Sequence, residues 1–137
     1  MKVRKCPFCG KGQLIRGTRR LSFKYHDELI RFDQPGDHCN KCKEGIVTGI
    51  DLGVTEKYIQ NRRNEIDGYL KSDEVKAIRK KLGLTQAQAA VLFGGGPNAF
   101  SRYERGEVRQ TKALDRLLRL LAKYPKHLAE LVRDEAA

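Results

Sequence analysis

Two Cys-x-x-Cys pairs, Cys6-Pro-Phe-Cys9 and Cys39-Asn-Lys-Cys42, account for all four cysteines of the chain and are separated by 29 residues. Such a turn lets two thiolates point at one centre, and two turns complete the tetrahedral four-sulfur shell that zinc accepts. Glycines follow both pairs, where metal knuckles need tight turns. Four thiolates leave no position for water, so one structural Zn2+ per chain is expected on Cys6, Cys9, Cys39 and Cys42. An iron–sulfur cluster also takes four thiolates, but the ribbon-like surroundings favour zinc. Disulfides are disfavoured because the basic N-terminus runs into the first pair without the apolar stretch of a secretory signal, which places the protein in the reducing cytoplasm. A thioredoxin-like redox motif is disfavoured as well, since there are two pairs and no βαβ pattern around either. His38 adjoins Cys39 and is read as a side chain near the site, while His26 and His127 are assigned to the surface.

A segment of this size buries too little apolar surface to fold without help, and metal binding supplies on the order of 10 kcal/mol. Short alternating segments at Leu14–Arg16, Leu21–Tyr25 and Leu29–Phe32 read as strands, with Ile46 and Val47 just past the second pair. From Thr55 onward the apolar spacing is helical. Thr55 is the expected N-cap of a helix through Ile59, Arg62, Ile66 and Leu70, and Ser72 that of the next. Gly83 ends that helix and Thr85 caps the following one. The expected fold is α+β: a small β-rich zinc-binding domain over residues 1–70, then an all-α helix-turn-helix domain of about five helices over 71–137. No apolar run approaches the roughly 20 residues of a membrane helix.

The formal net charge of +11 favours an anionic partner, with +6 in residues 1–72 and +5 in the remainder. The second half holds the pattern that gives this charge a use. Leu84-Thr-Gln86, the small Ala90, a Gly94-Gly-Gly96 turn and a Ser101-Arg-Tyr-Glu-Arg-Gly106 close fall at the spacing of a Cro/repressor-type helix-turn-helix. At about 100° per residue, Asn98, Ser101, Arg102 and Arg105 share one face of the second helix. Ala99, Phe100 and Tyr103 lie opposite. One cationic face and one apolar face suit insertion into the major groove of double-stranded DNA. Arg bridges guanine O6 and N7 and Asn bridges adenine N6 and N7, so Asn98 and Arg102 are the base-reading candidates. Thr85, Gln86, Ser101, Arg105, Arg79 and Lys80 are the candidates for the DNA backbone. The triple glycine is not a phosphate loop, because no Gly-Lys-Ser/Thr follows it. Leu114, Leu117, Leu118 and Leu121 form a stripe that suits either a monomer core or a dimer interface. No catalytic constellation stands out, and the chain is read as a binding protein and not an enzyme.

The order of these features, ending in the distinctive Phe93-Gly-Gly-Gly-Pro-Asn-Ala-Phe-Ser-Arg-Tyr-Glu-Arg-Gly106 segment, closely resembles the MqsA antitoxin family over nearly the whole chain. The resemblance implies a two-domain type II antitoxin. Its N-terminal zinc domain would bind and neutralise a cognate toxin, typically an MqsR-like mRNA interferase. Its C-terminal domain would form a homodimer and bind a palindromic operator, repressing its own operon. By motif position the family's base-reading pair falls on Asn98 and Arg102, and its zinc ligands on Cys6, Cys9, Cys39 and Cys42. The alternative is a stand-alone zinc-containing helix-turn-helix regulator, which a toxin gene beside this one would disfavour. Because RNA-binding toxins are often basic, a cationic N-terminal half points either to an apolar, strand-mediated contact through residues 21–32 or to a different partner.

Overall fold

Alternating polar and apolar residues on both sides of a two-residue turn build a long hairpin at the N-terminal end. In the computed structural model, which describes residues 4–136, this hairpin is the centre of an antiparallel four-stranded sheet, and six α-helices follow. The strands β1 (Arg4–Lys5), β2 (Gln13–Tyr25), β3 (Glu28–Cys39) and β4 (Gly45–Ile46) pair in sequence order. Tyr25 pairs with Glu28, so His26 and Asp27 form the turn, His26 at φ 54°. The fold is therefore α+β, with the cysteines in the β-rich part. The chain divides into two compact units between Ile59 and Gln60.

In the first unit the buried apolar residues among those described are Cys6, Leu14, Ile30 and Cys39. So small a set cannot offset the conformational entropy of ordering the chain. Polar contacts supplement it. Helix α1 (Gly49–Asp67) starts seven residues earlier than an N-cap at Thr55 would place it. Thr48 and Asp51 form a reciprocal capping pair: Asp51 N–H donates to Thr48 Oγ1 (3.3 Å) and Thr48 N–H to Asp51 Oδ2 (3.0 Å). Thr55 lies inside the helix, buried, with its hydroxyl donating to Gln34 Oε1 at 3.0 Å. The Gln34 amide in turn donates to the Asp51 carbonyl at 2.9 Å, and Arg16 clamps the Asp51 carboxylate with both terminal nitrogens. Helix α1 is thus tied to the hairpin by a buried polar network in place of an apolar stripe.

The second unit begins partway along α1 and contains α2 (Ser72–Lys81), α3 (Gln86–Phe93), α4 (Ala99–Glu104), α5 (Lys112–Lys123) and α6 (Leu128–Ala136). Its core joins Leu70, Val75, Ala89, Phe100, Leu114 and Leu118. The leucine stripe of α5 is accordingly monomer core: Leu114, Leu118 and Leu121 are buried and Leu117 is half-buried. Lys71, not Ser72, caps α2, with Glu74 Oε1 accepting from the Lys71 N–H at 3.0 Å. Pro125 opens a single 3-10 turn that leads into α6.

Asp115 is fully buried and accepts from Leu70 N–H (2.7 Å), the Gln110 amide (2.9 Å) and Arg119 Nε (3.0 Å). Burial alone would raise its pKa, but these donors outweigh burial and hold it below the ordinary value. Asp51 is also depressed, chiefly by its hydrogen bonds from Arg16 and then by those from Thr48. A depressed carboxylate contributes stability that is complete above its unfolded pKa, about 4, and is lost as pH falls through the lower folded value. Urea midpoints should therefore fall as pH drops below about 4. In Asp115→Asn the midpoint should be lower at pH 6 and the acid decline shallower; parallel profiles for the two proteins would contradict the assignment.

Candidate metal centre and nucleic-acid interface

The first Cys-x-x-Cys pair lies between β1 and β2, and the second at the end of β3. Pairing of Leu14 with Cys39 brings the two pairs together. All four Sγ atoms lie within 4.8 Å of one another. Cys6 and Cys42 are 3.6 Å apart and Cys9 and Cys39 are 3.8 Å apart. A sulfur tetrahedron with metal–sulfur bonds of about 2.3 Å has edges of about 3.8 Å, whereas a disulfide requires about 2.05 Å. The spacing is that of a coordination shell, and the four cysteines can hold a metal ion.

Close packing makes the site possible. A Cβ at Gly12 would fall 2.3 Å from Cys39 Sγ, so only glycine fits there. Backbone N–H groups of Gly12, Lys41 and Cys42 point at sulfurs at 3.3–3.4 Å, as thiolate acceptors require. The sulfurs respond unequally. Burial works to raise Cys39, but the Cys42 and Lys41 N–H groups outweigh it and bring the thiol down to about 6. The Glu44 N–H works to lower Cys42, but burial and the neighbouring sulfurs push it up to about 12. Four anions this close cannot all form without a cation among them, so the donor set fits a dication. The His38 ring is not among the converging donors; both its nitrogens are buried without a hydrogen-bond partner.

In the second unit, Thr85 caps α3 with a complete capping box. Its hydroxyl accepts from Gln88 N–H (3.1 Å), and its own N–H donates to Gln88 Oε1 (2.9 Å). Gly94, Gly95 and Gly96 then turn the chain at φ 82°, 95° and 91°, a run that side chains would strain. Helix α4 follows, with Asn98 as its N-cap residue. Its inner face, Ala99, Phe100 and Glu104, is buried, while Asn98, Arg102 and Arg105 are exposed and Ser101 is half-buried. Phe100 meets Phe93 at 5.9 Å and Tyr103 edge-on at 5.4 Å between ring centroids. Lys80 and Thr85 are exposed and Gln86 is half-buried.

Arg79 does not share this surface. Its guanidinium donates twice to Glu104, Nε to Oε2 and Nη2 to Oε1, both at 2.8 Å, and Nη1 donates to the Leu84 carbonyl at 2.9 Å. The pair is interior, with side chains 10% and 4% exposed, and this bonding explains why Arg79 lies inside and not against a phosphate. What Arg79 does is lock α4 to α2. Helical spacing carried the signal, since Arg79 follows Val75 by four residues on the packed face. Glu107 is a further residue that motif reading passes over. Its carboxylate lies 3.7 Å from Arg102 Nε and 3.4 Å from Arg105 Nη2.

No helix of the described chain is long and apolar enough to cross a membrane. Residues 4–133 match the family model described as the antitoxin component of bacterial toxin-antitoxin system, MqsA. The chain is also similar to Antitoxin MqsA of Escherichia coli (strain K12), at 32% identity over 129 residues, which span 93% of this chain and 98% of that protein. With a match across both units, including the cysteine cluster and the α3–α4 segment, the chain belongs to the MqsA family of antitoxins from bacterial toxin-antitoxin systems.

Proposed function

We propose that this chain is a cytoplasmic type II antitoxin that works through two parts, residues 1–70 and 71–137. The first part takes one structural Zn2+ on Cys6, Cys9, Cys39 and Cys42 and neutralises a cognate toxin, an MqsR-like mRNA interferase. Leu21, 41% exposed and sharing one face of the hairpin with Phe23 and Phe32, supports an apolar, strand-mediated contact within residues 21–32. Inhibition is by binding, with no reaction of the chain's own. The second part forms a homodimer and represses the chain's own operon by binding a palindromic operator, since one short helix reads too few bases alone.

The observation that carries the DNA reading is the division of α4, whose buried Phe100 and Glu104 fix it while Asn98 and Arg102 point outward one turn apart. In this reading Asn98 and Arg102 touch bases. Thr85, Gln86, Ser101, Arg105 and Lys80 meet the backbone. Arg79, spent on Glu104, positions the helix.

Binding to a duplex from the chain's own promoter and to random duplex of equal length tests this. Arg102→Ala should cost about 1 to 3 kcal/mol on the promoter duplex and erode the preference over random DNA. Lys80→Ala should weaken both alike and reduce the salt slope by about one. Equal loss on both duplexes for Arg102→Ala would overturn base reading. Promoter binding in the absence of any toxin encoded nearby would favour a stand-alone regulator.

A further inference from the structure

Helix α4 ends in a way that fixes where Glu107 can reach. Gly106, at φ 73°, donates its N–H to the Tyr103 carbonyl at 3.1 Å, and the Glu107 N–H donates to the Arg102 carbonyl at 3.0 Å. These paired bonds define a Schellman close, which folds the residue after the glycine back over the last turn. The Glu107 carboxylate therefore lies beside the two arginines of the outward face, 3.7 Å from Arg102 and 3.4 Å from Arg105. Neither arginine has another carboxylate partner among the described ion pairs, and Arg105 adds only a bond from Nε to the Ser101 carbonyl at 3.3 Å. A negative group here opposes the task of a surface that must meet phosphates.

We propose that Glu107 is a specificity-determining residue: it penalises phosphate-only binding and holds Arg102 in position for base contact. The inference rests on the DNA-binding reading above. On random DNA the arginines meet only phosphates, so every contact competes with the Glu107 carboxylate and that carboxylate repels the backbone. At the operator the same repulsion acts, but an arginine already braced at its base loses less freedom on reaching a guanine edge. The acid thus costs affinity on all DNA and returns part of that cost only at the right sequence.

The test is Glu107→Gln in the full chain, titrated against promoter duplex and random duplex over a range of salt. Affinity for random duplex should rise about fivefold, with a salt slope steeper by about one for each arginine released to a phosphate. Affinity for the promoter duplex should change less than about twofold, so that the preference falls. Glu107→Asp keeps the charge but shortens the reach, and should leave random binding near wild type while weakening promoter binding. Equal gains on both duplexes, or no change on either, would overturn the proposal. A wild-type chain that does not prefer promoter DNA would instead overturn the DNA-binding reading, and this inference with it.

Discussion

Stripping the metal, or replacing Cys39 by serine, is expected to unfold the N-terminal unit and leave the C-terminal one folded. The first unit buries few apolar side chains, and two of them are the cysteines themselves. Structural zinc supplies on the order of 10 kcal/mol, comparable to the entire net stability of a small domain. Without it, the backbone bonds that close the two cysteine turns, from Cys6 N–H to the Gly12 carbonyl (2.9 Å) and from Cys39 N–H to the Glu44 carbonyl (2.8 Å), lose their frame. Hydrogen exchange resolves the outcome by residue. Amides of Cys6 and Cys39 should lose protection, while those of Val75 and Leu118, buried in a separate helical core, should keep it. Zinc released on denaturation should approach one ion per chain. Retained protection at Cys39 after complete chelation would mean that the sheet folds on its own.

Glu104→Ala should be among the most damaging single substitutions in the helical unit. It leaves the Arg79 guanidinium, 10% exposed, without its carboxylate. Breaking one side of a buried pair costs about 3 to 5 kcal/mol, because the remaining charge is uncompensated. Replacing both partners at once, Arg79→Met with Glu104→Leu, should recover most of that loss, since burying two ions also carries a desolvation penalty. Thermal unfolding of the single and double variants separates the two effects. A cost below about 1 kcal/mol for Glu104→Ala would place the pair in effectively aqueous surroundings. DNA binding provides a second readout, as a loosened α4 should weaken the promoter complex even below the melting transition.

What the sequence disclosed and what it concealed follow from the range of the interactions involved. The cysteine shell was readable because spacing within each pair is local and no thiol is left over. The outward face of α4 was readable because a helix converts sequence spacing directly into direction. Thr48-x-x-Asp51 was as local a signal as any, but Thr55 stood nearer the first clear apolar repeat, and the earlier capping pair therefore predicts the helix start better than periodicity does. Arg79 reads with Lys80 as a candidate for the DNA backbone, although its distance from Val75 already puts it on the packed side. Asp115 could not be read at all. Its value depends on the Leu70 N–H, 45 residues away, and nothing in the local sequence joins them.

Growth after induction of the cognate toxin measures the division of labour most directly. Co-expression of the intact chain should relieve arrest, Arg102→Ala should relieve it equally, and Cys39→Ser should fail although the helical unit is still made and folded. If Cys39→Ser protects as well as the intact chain, or if Arg102→Ala does not protect, then toxin capture and DNA reading are not divided between the two parts and the account is wrong.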